Sequence, residues 1–228
     1  MKRCYDKIYL CGIKKMEVLT KIAYNQDVFF ILVLVSFFLI SLIKGVYWKH
    51  AKLFFMGVFA QRYANQYLRE ENAFTERVNF FTFMLMTINF TLIIVKFQGI
   101  IDIWKIAAVF FLVVFFFLSK IVLVKLLGFL FKVKDLAKLA VFFSFLFDKT
   151  LGFIFFPLVI IIYFFSFDIS FEMLVLSLFL LFLFLILKLL WLWQIGINSF
   201  GLSRIYIFLY LCVLEIFPLL LLGKGVFY

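Results

Sequence analysis

The sequence predicts an all-α integral membrane protein: a bundle of about six transmembrane helices, with a basic cytoplasmic interfacial helix between spans 1 and 2. Three observations point there. Hydrophobic residues make up 68% of the 228-residue chain and the mean hydropathy is +1.20, whereas a soluble domain is roughly half apolar. The apolar residues are gathered into runs that match the ~20 residues of helix needed to cross a hydrocarbon core about 30 Å thick. The runs also lack the alternation of barrel strands: F-F-I-L-V-L-V-S-F-F-L-I-S-L-I, from Phe29, shows no period of two. With no water in the bilayer core, peptide groups in such runs must bond within their own segment, so each closes as a helix.

The spans are expected at 28–46, 79–97, 103–124, 150–167, 172–194 and 205–222. The first is too long for a signal-peptide core and no small-x-small cleavage site follows it, so it reads as a retained span. Residues 1–27 form an N-terminal segment and 28–228 a single polytopic membrane domain, since ten glycines and two prolines without a Ser- or Pro-rich stretch offer no linker. The 38 phenylalanines are read chiefly as lipid-facing filler.

Between spans 1 and 2, Phe55, Phe59, Tyr63 and Tyr67 recur every four residues and would line one side of a helix, with Lys52, Arg62 and Arg69 on other faces. That pattern suits a helix lying at the cytoplasmic interface, or a docking surface for another protein. Residues 131–149 are either a second interfacial segment or the long cytoplasmic ends of spans 3 and 4.

Lys and Arg beside span ends are retained in the cytoplasm. The loops after spans 1, 3 and 5 carry fourteen basic residues, and the opposite side has Lys96, Lys105 and Lys224 before the N-terminus is counted. The expectation is a multi-pass protein of the bacterial cytoplasmic (inner) membrane, N-out and C-out. Lys2, Arg3, Lys7, Lys14, Lys15 and Lys21 oppose that orientation. Natural initiation at Met16 would remove all of them but Lys21. The net charge of +11 sits in loops beside spans, where headgroup contact explains it. The bilayer and a membrane-protein partner are the expected partners, nucleic acid is not, and no substrate can be named.

Cys4, Cys11 and Cys212, with His50 as the single histidine, make neither a disulfide framework nor a metal site. One histidine also leaves no triad to assemble, and no Walker or dinucleotide-binding glycine pattern is present. No catalytic residues, metal or cofactor are expected. What the spans do contain is polar groups in apolar surroundings. Glu215 lies near the middle of the last span and, being costly in hydrocarbon, should face the bundle. Thr82, Asn89 and Lys96 are spaced by seven on one face of span 2. Pro157 and Pro218 each free a carbonyl four residues earlier, and the one on span 4 could accept from a protonated Glu215. Three roles stay open for Glu215: a structural bond between helices, part of a substrate or proton path, or a subunit contact. Lys188, near Trp191 and Trp193, is expected to snorkel to headgroups.

The stretch Y-A-N-Q-Y-L-R-E-E-N from Tyr63, Asp27 opening span 1, Pro157, and R-I-Y-I-F-L-Y-L-C-V-L-E-I-F-P from Arg204 together resemble a family of Bacteroidota inner-membrane proteins known as a domain of unknown function. The resemblance runs from Asp27 to Gly223. Members carry Trp after the opening aspartate, where this chain has Val28. The resemblance implies a location and marks Arg204, Tyr210, Cys212, Glu215 and Pro218, without assigning them roles. Two function classes follow as expectations: a noncatalytic subunit or assembly factor of a membrane complex, or a small proton-coupled or solute transporter using Glu215.

Initiation at Met16 is checked by mass spectrometry of the endogenous N-terminus; any peptide from residues 1–15 would contradict it.

Overall fold

The computed structural model describes residues 27–69, 73–100, 102–130, 134–165 and 167–200. These form α1 (Asp27–Val46), α2 (Trp48–Met56), α3 (Gln61–Arg69), α4 (Ala73–Phe97), α5 (Ile103–Leu130), α6 (Lys134–Phe164) and α7 (Phe167–Phe200). Among the described residues there is no strand, and five helices, α1, α4, α5, α6 and α7, are long and apolar enough to cross a membrane. The expected sixth span, 205–222, lies outside the described residues.

Short connections make α5 antiparallel to α4 and α6, and α7 antiparallel to α6. The ends of the helices fall into two layers. One holds the α4–α5 turn, the end of α6 and the start of α7 together with the start of α1, where Phe29 packs at a tilt on Tyr163 and Phe30 meets Phe164 edge to face. The other holds α2, α3, the end of α5 and the start of α6. The α4–α5 turn is built on Gly99, whose φ of +62° lets Gly99 N–H bond the Lys96 carbonyl and Ile100 N–H the Val95 carbonyl, closing the helix end in a Schellman arrangement.

The helices are longer than the expected spans. At 1.5 Å per residue, α6 is roughly 46 Å long and α7 roughly 51 Å, so both outrun a ~30 Å hydrocarbon layer. Residues from Lys134 to Lys149 are the first half of α6, continuous with the span that follows, which decides between the two readings of 131–149 for the part described. Apolar periodicity marks where a helix is in lipid but not where it stops, because backbone bonding continues into water unbroken.

The single helix expected between spans 1 and 2 is instead two, α2 and α3, broken at residues 57–60. Gly57 stands where the two come closest: a Cβ there would lie 3.2 Å from Ala64 Cβ and 3.0 Å from the Phe54 carbonyl oxygen. The four-residue aromatic spacing is therefore not one stripe. Phe59 falls in the turn and is 85% exposed, whereas Tyr67 is 2% exposed. Phe54, Val58, Ala64 and Tyr67 pack with Phe143, Leu146 and Phe147 of α6 and Leu192 of α7. The Tyr67 hydroxyl donates to the Thr75 carbonyl at 2.9 Å, and burial pushes its phenol well above the usual range, so it remains a donor.

α4 and α6 form the buried centre, and α1, α5 and α7 surround them. A second cluster joins Val33 of α1 to Leu92 and Ile93 of α4 and Phe155, Val159 and Ile162 of α6. Edge-to-face contacts among Phe90, Phe117, Phe145 and Phe155 knit α4, α5 and α6. Phenylalanine thus serves both purposes: Phe37, Phe111, Phe115 and Phe179 are exposed as filler should be, while Phe54, Phe147 and Phe155 are fully buried.

The tightest approach is at Gly152. A Cβ there would sit 2.6 Å from Met86 Cα and 2.8 Å from its Cβ, so α4 and α6 touch nearly backbone to backbone, as small residues permit in membranes. Gly152→Leu is expected to lower stability by about 3 kcal/mol, read as an earlier unfolding transition in mild detergent, while Gly45→Leu, where nothing stands within 4 Å of the added Cβ, leaves it near wild type.

Candidate functional site

Two polar centres lie inside the bundle, both built on α6. The first surrounds Gly152. Absence of a side chain lets α4 close in, which brings Asn89 within reach: its Nδ2 donates to the Gly152 carbonyl at 2.8 Å, and Ser36 Oγ donates to Asn89 Oδ1 at 3.3 Å. One side chain, 0% exposed, thus links α1, α4 and α6. Nearby, Tyr163 donates to the Leu92 carbonyl at 2.7 Å, adding a second bond between α4 and α6.

The second centre is charged. Asp148 points from α6 toward α5 and α7, where Lys188 Nζ donates to both carboxylate oxygens at 2.8 Å. Lys120 Nζ of α5 lies 3.6 Å from the same carboxylate and 5.8 Å from the Phe145 ring centre. Both lysine side chains are nearly buried, at 6% and 4% exposure. Lys149, the next residue, points to the other side of α6. It donates to Asn79 Oδ1 of α4 at 3.0 Å and lies 5.7 Å from the centre of the Phe54 ring. Along the helices these groups stand roughly 22–32 Å from the α4–α5 and α6–α7 ends of the bundle, about the thickness of a hydrocarbon layer away. Buried ammonium and carboxylate groups persist in such surroundings only when mutually paired.

The charged centre borders a cavity of about 220 Å³ between α4, α5, α6 and α7. Phe90, Phe116, Phe155 and Leu181 are among its apolar walls, and Lys120, Asp148 and Lys188 stand at its charged end. The arrangement can do two things chemically. It ties three helices by charge, and it offers ammonium and carboxylate groups to a small ligand or proton.

The expected site residues are placed as follows. Asn89 is in the first centre. Pro157 is in α6, on its exposed side. Lys52, Arg62 and Arg69 are exposed on α2 and α3, where Arg62 caps the Tyr63 ring at 5.0 Å and donates to its hydroxyl at 3.1 Å. Arg204, Tyr210, Cys212, Glu215 and Pro218 lie outside the described residues. Lys188 does not snorkel to headgroups, because the Asp148 carboxylate satisfies its ammonium inside the bundle. Sequence reasoning missed Lys120 by taking basic residues at span ends only as retention signals, and missed Asp148 by placing it in a loop before span 4. The available signal was the Asp148–Lys149 pair inside the apolar run V-F-F-S-F-L-F-D-K-T-L-G-F, with Lys188 inside L-I-L-K-L-L-W.

Compared with known protein families, the chain matches the domain of unknown function DUF4271 over residues 29–226. The chain belongs to that family. The match covers nearly the stretch over which the resemblance was read, Asp27 to Gly223. No curated protein and no solved structure matches this DUF4271 chain. Among its described residues, no group of three or more His, Cys, Asp or Glu could hold a metal ion.

Asp148→Ala is expected to cost about 3–5 kcal/mol, because it breaks a buried ion pair with Lys188. Asn89→Ala should cost about 1–2 kcal/mol, the scale of an interhelical hydrogen bond in a membrane. Thermal unfolding of both variants in one mild detergent checks the order; an Asp148→Ala protein as stable as wild type would contradict the pairing.

Proposed function

We propose that this multi-pass protein is a noncatalytic subunit or assembly factor of a complex in the bacterial inner membrane, with α2 and α3 as its docking face on the cytoplasmic side. The observation that carries the reading is the packing of that hairpin onto the bundle. Phe54, Ala64 and Tyr67 fasten it to α6 and α7, the Tyr67 hydrogen bond fixes it to the start of α4, and Lys52, Arg62 and Arg69 are left facing outward. A preordered basic surface gives up little conformational freedom on binding, and it suits an acidic protein face better than lipid alone. The distribution of basic loops supports an N-out, C-out orientation.

A second reading, a small proton-coupled or solute transporter, draws support from the charged cluster at the cavity, together with Glu215 in the last expected span. Ionisable groups inside a membrane bundle often mark such paths.

One purification distinguishes them. Wild-type protein extracted in mild detergent should carry a partner in stoichiometric amount, and Arg62→Glu/Arg69→Glu should lose at least ten-fold of it with unchanged expression and unfolding temperature. A monodisperse wild-type protein without partner would overturn the subunit reading, and proton uptake by that preparation in sealed vesicles would favour the transporter.

A further inference from the structure

α1 ends at Val46 and α2 begins at Trp48, with Tyr47 at the bend in a non-helical conformation (φ −115°, ψ 14°). Two ring contacts fix the course of α2 from there. Phe30 of α1 meets Phe164 of α6 at one end of the bundle, and Phe55 of α2 meets Phe153 of α6 with ring centres 4.8 Å apart. Were α1 and α2 one straight helix, Phe55 would stand roughly 38 Å along the bundle from Phe30, yet Phe153 stands only roughly 17 Å from Phe164. α2 therefore turns aside at Tyr47, roughly 26 Å from the level of Phe30, and lies across the bundle near the depth at which a ~30 Å hydrocarbon layer ends.

The two sides of α2 differ. Ala51 and Phe54 are buried against the bundle. The outward side is one stripe: Trp48, Lys52 and Met56 at spacings of four, flanked by Lys49 and continued by Phe59 in the turn, all of them exposed. Large apolar and cationic side chains alternate along it. Such a mixture suits neither water nor hydrocarbon, but it fits the boundary between them, where rings and thioether enter the acyl region and lysine stems carry their ammoniums out to the phosphates. α3 offers the contrast, because its outward Arg62, Asn65 and Arg69 are all polar.

We infer that the outward stripe of α2 is a contact site for anionic phospholipid, in which Trp48, Met56 and Phe59 anchor at the acyl boundary and Lys49 and Lys52 hold headgroup phosphates. Lys44, exposed one turn before Trp48, adds a third ammonium. Residues 44–60 contain these three lysines and no acidic residue, so the surface attracts anionic headgroups over zwitterionic ones. The inference is independent of the proposed function, whose partner test turns on Arg62 and Arg69 of α3.

The test uses the full chain with Cys4, Cys11 and Cys212 replaced by Ser and a bimane label on Phe59→Cys, in nanodiscs of phosphatidylcholine containing a minority of phosphatidylglycerol. Bromine is carried on the acyl chains of either the phosphatidylglycerol or an equal amount of the phosphatidylcholine. Brominated phosphatidylglycerol should quench the label about three-fold more than brominated phosphatidylcholine, and Lys49→Gln/Lys52→Gln should bring the two level. A label on Asn65→Cys of α3 should be reached by aqueous iodide and by neither lipid. Equal quenching of the Phe59→Cys label by the two lipids in the otherwise unaltered chain overturns the inference. Quenching by iodide alone would place the stripe in water, and shielding from all three quenchers would place it against protein; either result overturns the inference as well. The same measurement from a label on Met56→Cys covers the case in which the turn does not tolerate the change at Phe59.

Discussion

The close crossing of α4 and α6 at Gly152 is the constraint from which the bundle is built. Helices in lipid gain little from burying apolar surface against each other, because acyl chains are equally apolar, so association depends on packing and on hydrogen bonds between helices. Gly152 supplies both. Without a side chain it lets Met86 of α4 approach the α6 backbone, and that proximity lets Asn89 reach the Gly152 carbonyl. Ser36 then adds α1 to the same amide. Any side chain at 152 would separate the helices and cost the amide its acceptor as well as the contact.

α6 is the axis around which the charges divide. Asp148 and Lys149 are neighbours in sequence, yet a helix turns about 100° per residue, so one faces α5 and α7 and the other faces α4. Each finds a polar partner there: Lys188 and Lys120 for the aspartate, Asn79 for the lysine. The result is a polar layer across four helices near one boundary of the membrane. The bundle is thus held by neutral hydrogen bonds of Asn89 on the side of the α4–α5 and α6–α7 ends and by charge on the other.

Just beyond that layer, α6 and α7 extend past the hydrocarbon and give the α2–α3 hairpin something to stand on. Phe143, Leu146 and Phe147 of α6 and Leu192 of α7 meet Phe54, Ala64 and Tyr67, so a segment that could have lain loosely in the headgroups is packed as part of the fold. The lengths of α6 and α7 and the order of the hairpin therefore belong to one structural solution. The helices that carry its exposed basic residues are packed through a hydrophobic core on their other side.

Membrane residence and the approximate position of the five described crossings were legible in the sequence, because both follow from the length of an apolar run against the thickness of the bilayer, a comparison that needs no partner. The two-helix form of residues 48–69 was not legible: the four-residue aromatic spacing is compatible with one long helix, and it is the contact of Gly57 with Ala64 that breaks it. Asn89 could be recognised as an interior residue from its spacing with Thr82 and Lys96, but not its acceptor. Asp148, Lys120 and Lys188 looked like boundary residues because their pairing depends on how α5, α6 and α7 are rotated about their axes. In helices apolar on nearly every face, sequence pattern carries almost no information about that rotation. Only the packed structure selects it, through the few small and polar side chains whose contacts lipid cannot replace.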